Sequence, residues 1–160
     1  MAPVRLRELI ERLADARVGY IVVGGLAVNA WGHLRGTGDL DIVPDPEPAN
    51  LDRLAGALEA LGGRVEVGDR KLTADAIRTF LAAGDRTLVS TDLAPVDVLQ
   101  GLPQVPGYAD LRAGAVSVDL AGVEVVVCSL EALLAMKRAS SRSRDREDVE
   151  ALEEANPGSA

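Results

Sequence analysis

The chain has a single cysteine, Cys128, so no internal disulfide can brace it, and its place at the end of the apolar run 123–127 marks it as a small core residue rather than a reactive thiol. No apolar run approaches the roughly 20 residues that cross a bilayer, and the opening residues Met-Ala-Pro-Val-Arg-Leu-Arg-Glu lack an apolar signal-peptide core, so the expected setting is the cytoplasm with no membrane contact. Positive charge is also scarce. The formal net charge of −8 argues against broad, nonspecific affinity for nucleic acid. Internal repeats, low-complexity tracts and an interdomain linker are all missing, and 160 residues suit one domain, expected over 1–154 with a flexible tail at 155–160.

What is present is an ordinary globular composition, 48% hydrophobic and 26% charged, with two local concentrations of chemistry. The first is the stretch 20–43. Tyr20, Ile21, Val22 and Val23 read as a buried strand that breaks at the pair Gly24-Gly25. Residues 26–34 read as a short helix, with Trp31 as a core or lid anchor and His33 as a structural histidine. A second strand, 39–43, carries Asp39 and Asp41, which alternation places on one face while Leu40 and Ile42 take the other. Two carboxylates so close oppose joint ionisation, and a divalent cation resolves the conflict. The glycine pair lets backbone approach a ligand closely, and free N–H groups at the following helix start favour an anion.

The remaining elements follow from periodicity and punctuation. Residues 4–17 form an amphipathic helix with Leu6, Leu9, Ile10 and Leu13 on one stripe. The Pro44-Asp45-Pro46-Glu47-Pro48 segment ends the second strand, and a helix runs from about 49 to the stop signal Gly62-Gly63. Residues 64–73 are a connector of weak strand character, 74–83 a short helix, and 86–92 a strand. In Val96-Asp97-Val98-Leu99 a lone charge stands in an apolar strand, which is expensive unless paired or metal-bound, so Asp97 is the third candidate carboxylate; Asp92, in turn-like surroundings, is its rival. Residues 115–120 and 123–128 form a hairpin about Ala121-Gly122, with Asp119 and Glu124 facing solvent.

The second concentration is C-terminal. Ser129 caps a helix over 130–139, and five basic residues (Lys137, Arg138, Arg142, Arg144, Arg146) gather against one acid, Asp145. Lys137 continues the apolar stripe of Leu130, Leu133 and Leu134, which turns it toward the protein body, where a lysine needs an anion. A last helix covers about 144–153.

The order strand, Gly24-Gly25, helix, Asp39-Leu40-Asp41, with 13 residues between Gly25 and Asp39, resembles the nucleotidyltransferase signature of the polymerase-β-like superfamily. The run Arg35 to Ile42 looks like the branch that includes the abortive-infection (AbiEii-type) toxin nucleotidyltransferases, and the segment from Leu133 through Lys137 and Asp145 to Asp148 is similar to their C-terminal element. The resemblance implies an α/β (α+β) fold with a mixed central sheet of about five strands flanked by helices, and transfer of a nucleoside monophosphate from an NTP to an acceptor hydroxyl. It also implies Asp39, Asp41 and Asp97 as catalytic and metal-binding acids for Mg²⁺ or Mn²⁺, and Gly24, Gly25, Arg35, Thr37, Lys137 and Asp145 as nucleotide- or phosphate-binding. The toxin-like branch and the basic cluster point to the 3′ end of RNA or tRNA as acceptor, with an antitoxin or a second copy as a protein partner. The competing readings are a noncatalytic nucleotide-binding module and a small-molecule transferase of the aminoglycoside type. Larger relatives add a C-terminal helical domain that has no counterpart here.

Overall fold

The computed structural model describes residues 4–120 and 122–158. Among them the chain order is α1 (Val4–Asp15), β1 (Tyr20–Val23), α2 (Gly24–Ala30), β2 (Leu40–Pro44), α3 (Pro48–Ala60), β3 (Arg64–Val67), β4 (Arg70–Lys71), α4 (Ala76–Ala83), β5 (Asp85–Ser90), β6 (Val96–Gln100), α5 (Tyr108–Gly114), β7 (Val116–Leu120), β8 (Val123–Val127), α6 (Leu130–Arg138) and α7 (Ser143–Ala155). The strands form one mixed sheet in the order β4-β3-β5-β6-β2-β1-β8-β7. Eight strands replace the expected five or so. The difference comes from the connector 64–73, which Gly68 (φ +62°) turns into the β3–β4 hairpin, and from counting both strands of the β7–β8 hairpin in the same sheet.

The register is what matters for chemistry. β1 and β2 pair antiparallel with Val23 opposite Asp41, while β2 and β6 pair parallel with Asp41 opposite Asp97. β5 pairs antiparallel with β6, setting Arg86 against Leu99 and Leu88 against Asp97. Partners in a ladder share a face, so Asp41, Asp97 and Arg86 all emerge on one side of the sheet. Leu40, Ile42, Val96 and Val98 take the other side and are fully buried.

The expected helix at 4–17 stops at Asp15, and its stripe of Leu6, Leu9, Ile10 and Leu13 is buried. Cys128 is likewise fully buried, and burial pushes its thiol up to about 12. The proline-rich link after β2 is fixed by Asn50 at the start of α3: its side chain accepts from the Gly19 amide at 2.7 Å and donates to the carbonyls of Gly19 and Asp45. Between β5 and β6 the Thr91 hydroxyl donates to the Ala94 carbonyl at 2.6 Å and accepts from the amides of Leu93 and Ala94. That turn takes Asp92 out of the strand. The β7–β8 turn is closed by Gly122 donating to Asp119 at 2.7 Å; Ala121, the other residue of that turn, lies outside the described residues. α5 has no counterpart in the sequence reading. At the C-terminal end Ala155 closes α7, Asn156 donates to the Trp31 carbonyl at 2.8 Å, and Ser159 and Ala160 lie outside the described residues. Among the described residues no helix is long and apolar enough to cross a membrane.

Candidate active site

One cavity of about 810 Å³ gathers the functional candidates: Gly24, Gly25, Arg35, Thr37, Asp39, Asp41, Asp97, Lys137 and Asp145 all line it. Asp92, the rival third acid, is not on its wall. Its carboxylate instead abuts Gly62, where an added Cβ would meet it at 2.7 Å.

The carboxylates are not equivalent. Asp39 precedes β2 rather than belonging to it and is exposed, because the strand begins only at Leu40, whose amide donates to the Pro95 carbonyl. Asp41 is partly covered at the centre of the sheet. Burial, then the neighbouring charges of Asp97 and Asp39, push its carboxyl up to about 6, against the opposing pull of the Gly25 amide and Lys137. Asp97 accepts from Arg86 Nε on both oxygens, at 2.9 and 3.0 Å. Arg86 is a site residue the sequence reading passed over, since it opened an unremarkable strand. Among the described residues no three Asp, Glu, His or Cys side chains stand grouped as a ready-made metal cluster.

The glycine pair has a concrete packing reason. Gly24, at φ +67°, would place a Cβ 2.0 Å from an Asp41 carboxylate oxygen, and a Cβ on Gly25 would sit 2.7 Å from the Thr37 hydroxyl. The pair opens α2 instead of preceding it, so the helix starts two residues earlier than expected and ends at Ala30. Trp31 then anchors the departing chain, donating from Nε1 to the Cys128 carbonyl at 3.0 Å.

The loop from Trp31 to Asp39 is held from α6 and α7. Arg35 donates to Asp148 through Nε at 2.9 Å and through Nη2 at 3.0 Å, a two-point pairing, while its amide donates to Asn29. Lys137 Nζ lies 2.8 Å from Asp145 and 3.0 Å from Asp148. Asp148 is 1% exposed and also has His33 Nε2 at 3.7 Å. The anion that Lys137 requires is therefore supplied within the chain. Burial alone would raise both acids, but hydrogen bonds from Lys137, Ser140 and Arg142 carry Asp145 down to about 2, and those from Arg35 and Lys137 bring Asp148 below the usual carboxylate range. Asp148 was missed because it stands among several acids of a charge-dense helix. Its one available signal was its spacing: it follows Asp145 by three residues on α7, at the end of the segment from Leu133 that resembles the family's C-terminal element.

Compared with known proteins, the chain is similar in fold to the lincosamide antibiotic adenylyltransferase LnuA in its lincomycin-bound form, with TM-score 0.70 at 16% identity over 98% of this chain and 99% of that one. It is also similar to ANT(2″)-Ia in complex with adenylyl-2″-tobramycin, with TM-score 0.60 at 18% identity over 94% and 87%. An antigenic nucleotidyltransferase-like protein from Paracoccidioides brasiliensis gives TM-score 0.60 at 20% identity over 91% and 72%. No curated protein matches the chain by sequence. A family model described as "Nucleotidyltransferase of unknown function (DUF6036)" matches residues 4–155.

Proposed function

The chain belongs to this DUF6036 nucleotidyltransferase family, and from that premise we propose that it moves a nucleoside monophosphate from an NTP to a hydroxyl of an acceptor, releasing pyrophosphate. The observation that carries the reading is the register that puts Asp41 of β2 beside Asp97 of β6 on the wall of a cavity also lined by Gly24, Gly25 and Lys137. In the reaction the acceptor oxygen forms a new bond to the α-phosphorus, the bridging bond from the α-phosphorus to the β-phosphate breaks, and the hydroxyl proton leaves toward Asp97 and solvent.

Hard oxygen donors on one cavity wall, with Asp41 raised by its acidic neighbours, are the chemistry that suits Mg²⁺ or Mn²⁺. Asp39 and Asp41 would hold the ion, joined by Asp97. When bound, such an ion neutralises charge on the phosphates and on the departing pyrophosphate. The chain's own residues do the rest. Gly24 and Gly25 keep the cavity floor free of Cβ atoms, Thr37 and Arg35 form the adjoining loop, and Lys137, held by Asp145 and Asp148, has its third N–H left for the phosphate side. Asp97 orients the acceptor hydroxyl.

The acceptor has two candidates, an RNA 3′ end and a small molecule. Arg142 and Arg144, which line the cavity, favour the first, and a cavity volume of about 810 Å³, room for one nucleotide and one small acceptor, favours the second. Calorimetry with each NTP and Mg²⁺ tests the metal and nucleotide assignment: wild type binds, and the double variant Asp39→Ala/Asp41→Ala loses binding. Equal affinity in both would overturn it.

A further inference from the structure

The cations around the cavity differ in how much of their hydrogen-bonding capacity is already used. Lys137 and Arg35 are committed to Asp145 and Asp148. Arg142 Nε donates to Asp145 at 3.0 Å, and Arg144 Nη2 donates to the Gly36 carbonyl at 3.2 Å. All four stand on α6, on α7, on the link between them or on the loop after α2. At the β5–β6 end of the cavity the situation is different. Arg86 uses Nε to grip Asp97, and its two terminal amino groups have no hydrogen-bond partner among the described residues. Its side chain is 60% exposed and borders the cavity beside Leu99, Gln104 and Val105. A guanidinium fixed by Nε presents a fork of N–H donors to whatever enters there.

We infer that Arg86 is the acceptor-selecting residue: it binds a phosphoryl group carried by the acceptor, next to the hydroxyl that Asp97 receives. This rests on the proposed transfer reaction, which assigns the β1–α2 end to the triphosphate and leaves the β5–β6 end for the acceptor. The phosphoryl oxygens accept from the two terminal amino groups, while Asp97 retains Nε, so nucleophile and anchor are set by one side chain pair. The same positive charge disfavours a polyamine acceptor such as an aminoglycoside, whose ammonium groups would meet Arg86 at close range.

Binding measured by amide chemical shifts tests this without turnover. Ribose 5-phosphate, a short oligoribonucleotide with a free 3′ hydroxyl, and tobramycin are titrated separately into wild type, Arg86→Ala and Arg86→Lys, with and without a nonhydrolysable ATP analogue and Mg²⁺. At least one phosphorylated probe is expected to move the Leu99, Gln104 and Val105 resonances and to bind wild type about tenfold more tightly than Arg86→Ala, as loss of a charged hydrogen bond implies, with Arg86→Lys between them. Tobramycin is expected to bind wild type more weakly than the phosphorylated probe that responds. Response to ribose 5-phosphate alone identifies a small phosphorylated acceptor, and response to the oligonucleotide alone identifies a nucleic-acid end. Equal binding of the phosphorylated probes to wild type and Arg86→Ala, no binding of either to wild type, or tighter binding of tobramycin overturns the inference. Failure of the ATP analogue to bind, with the Arg86-dependent response intact, counts against the transfer reaction alone.

Discussion

Asp41 sits in a position that penalises its own charge. The folded carboxyl holds its proton to about pH 6, whereas an unfolded one releases it near the ordinary aspartate value of 3.8. Between those values the folded state binds more protons, so folding loses free energy as pH rises from about 4 to about 6, and the loss persists above. Moving from 3.8 to about 6 corresponds to at most about 3 kcal/mol. Asp41→Asn, which keeps the shape and removes the titration, should therefore flatten stability across this window in the presence of a chelator. Urea melts at pH 4, 5, 6 and 7 check it; parallel pH profiles for wild type and variant would rule the strain out. Strain of this sign is what the cation site proposed above would carry, because the charge that destabilises the fold is the charge an ion would bind.

The elements that carry the site were unevenly legible. β1, β2 and β6 stood out because each combines β-branched density with a clear boundary, and the alternation in Val96-Asp97-Val98 identified the buried-strand aspartate on physical grounds. α5 was lost because seven residues following Pro103, Pro106 and Gly107 give too few turns for a periodicity to show. Arg86 and Asp148 were lost for a deeper reason: an arginine at a strand start and an acid on a polar helix look solvated unless the pairing of distant segments is known. Asp148 is the more consequential of the two. Replacing it by Ala leaves Lys137, itself 8% exposed, with Asp145 as its one remaining acid and takes from Arg35 the carboxylate that holds it. Breaking a buried pair in this way costs about 3–5 kcal/mol. Thermal unfolding of Asp148→Ala should show a drop in Tm of many degrees, with Asp148→Asn intermediate; an unchanged Tm would show that the network contributes nothing.

Across the whole molecule, the acids that stabilise and the acid that destabilises act in adjoining pH ranges. Asp145 is held down to about 2, so its contribution is complete above the unfolded value of 3.8 and is lost as pH falls from there toward 2, with Asp148 lost in the same direction. As carboxylates protonate, the chain also passes from a net −8 to a net positive charge set by 17 lysines and arginines and one histidine. The ligand-free protein is thus expected to be most stable near pH 4 to 5 and to unfold steeply below about 3. Circular dichroism melts across pH 2 to 7 read this directly, and a plateau extending from pH 3 to 7 would contradict both halves of the account.

The clasp between the two ends of the chain also has a temporal meaning. Arg35 reaches Asp148 across 113 residues, and Trp31 reaches Asn156 across 125. During synthesis β1, α2 and β2 emerge from the ribosome early, but the loop bearing Thr37 and Asp39 lacks its Arg35–Asp148 and Trp31–Asn156 ties until α7 has been translated. Until then the loop is tied only to its own side of the molecule, so its final geometry is a late event in folding, set by the arrival of α7 against it.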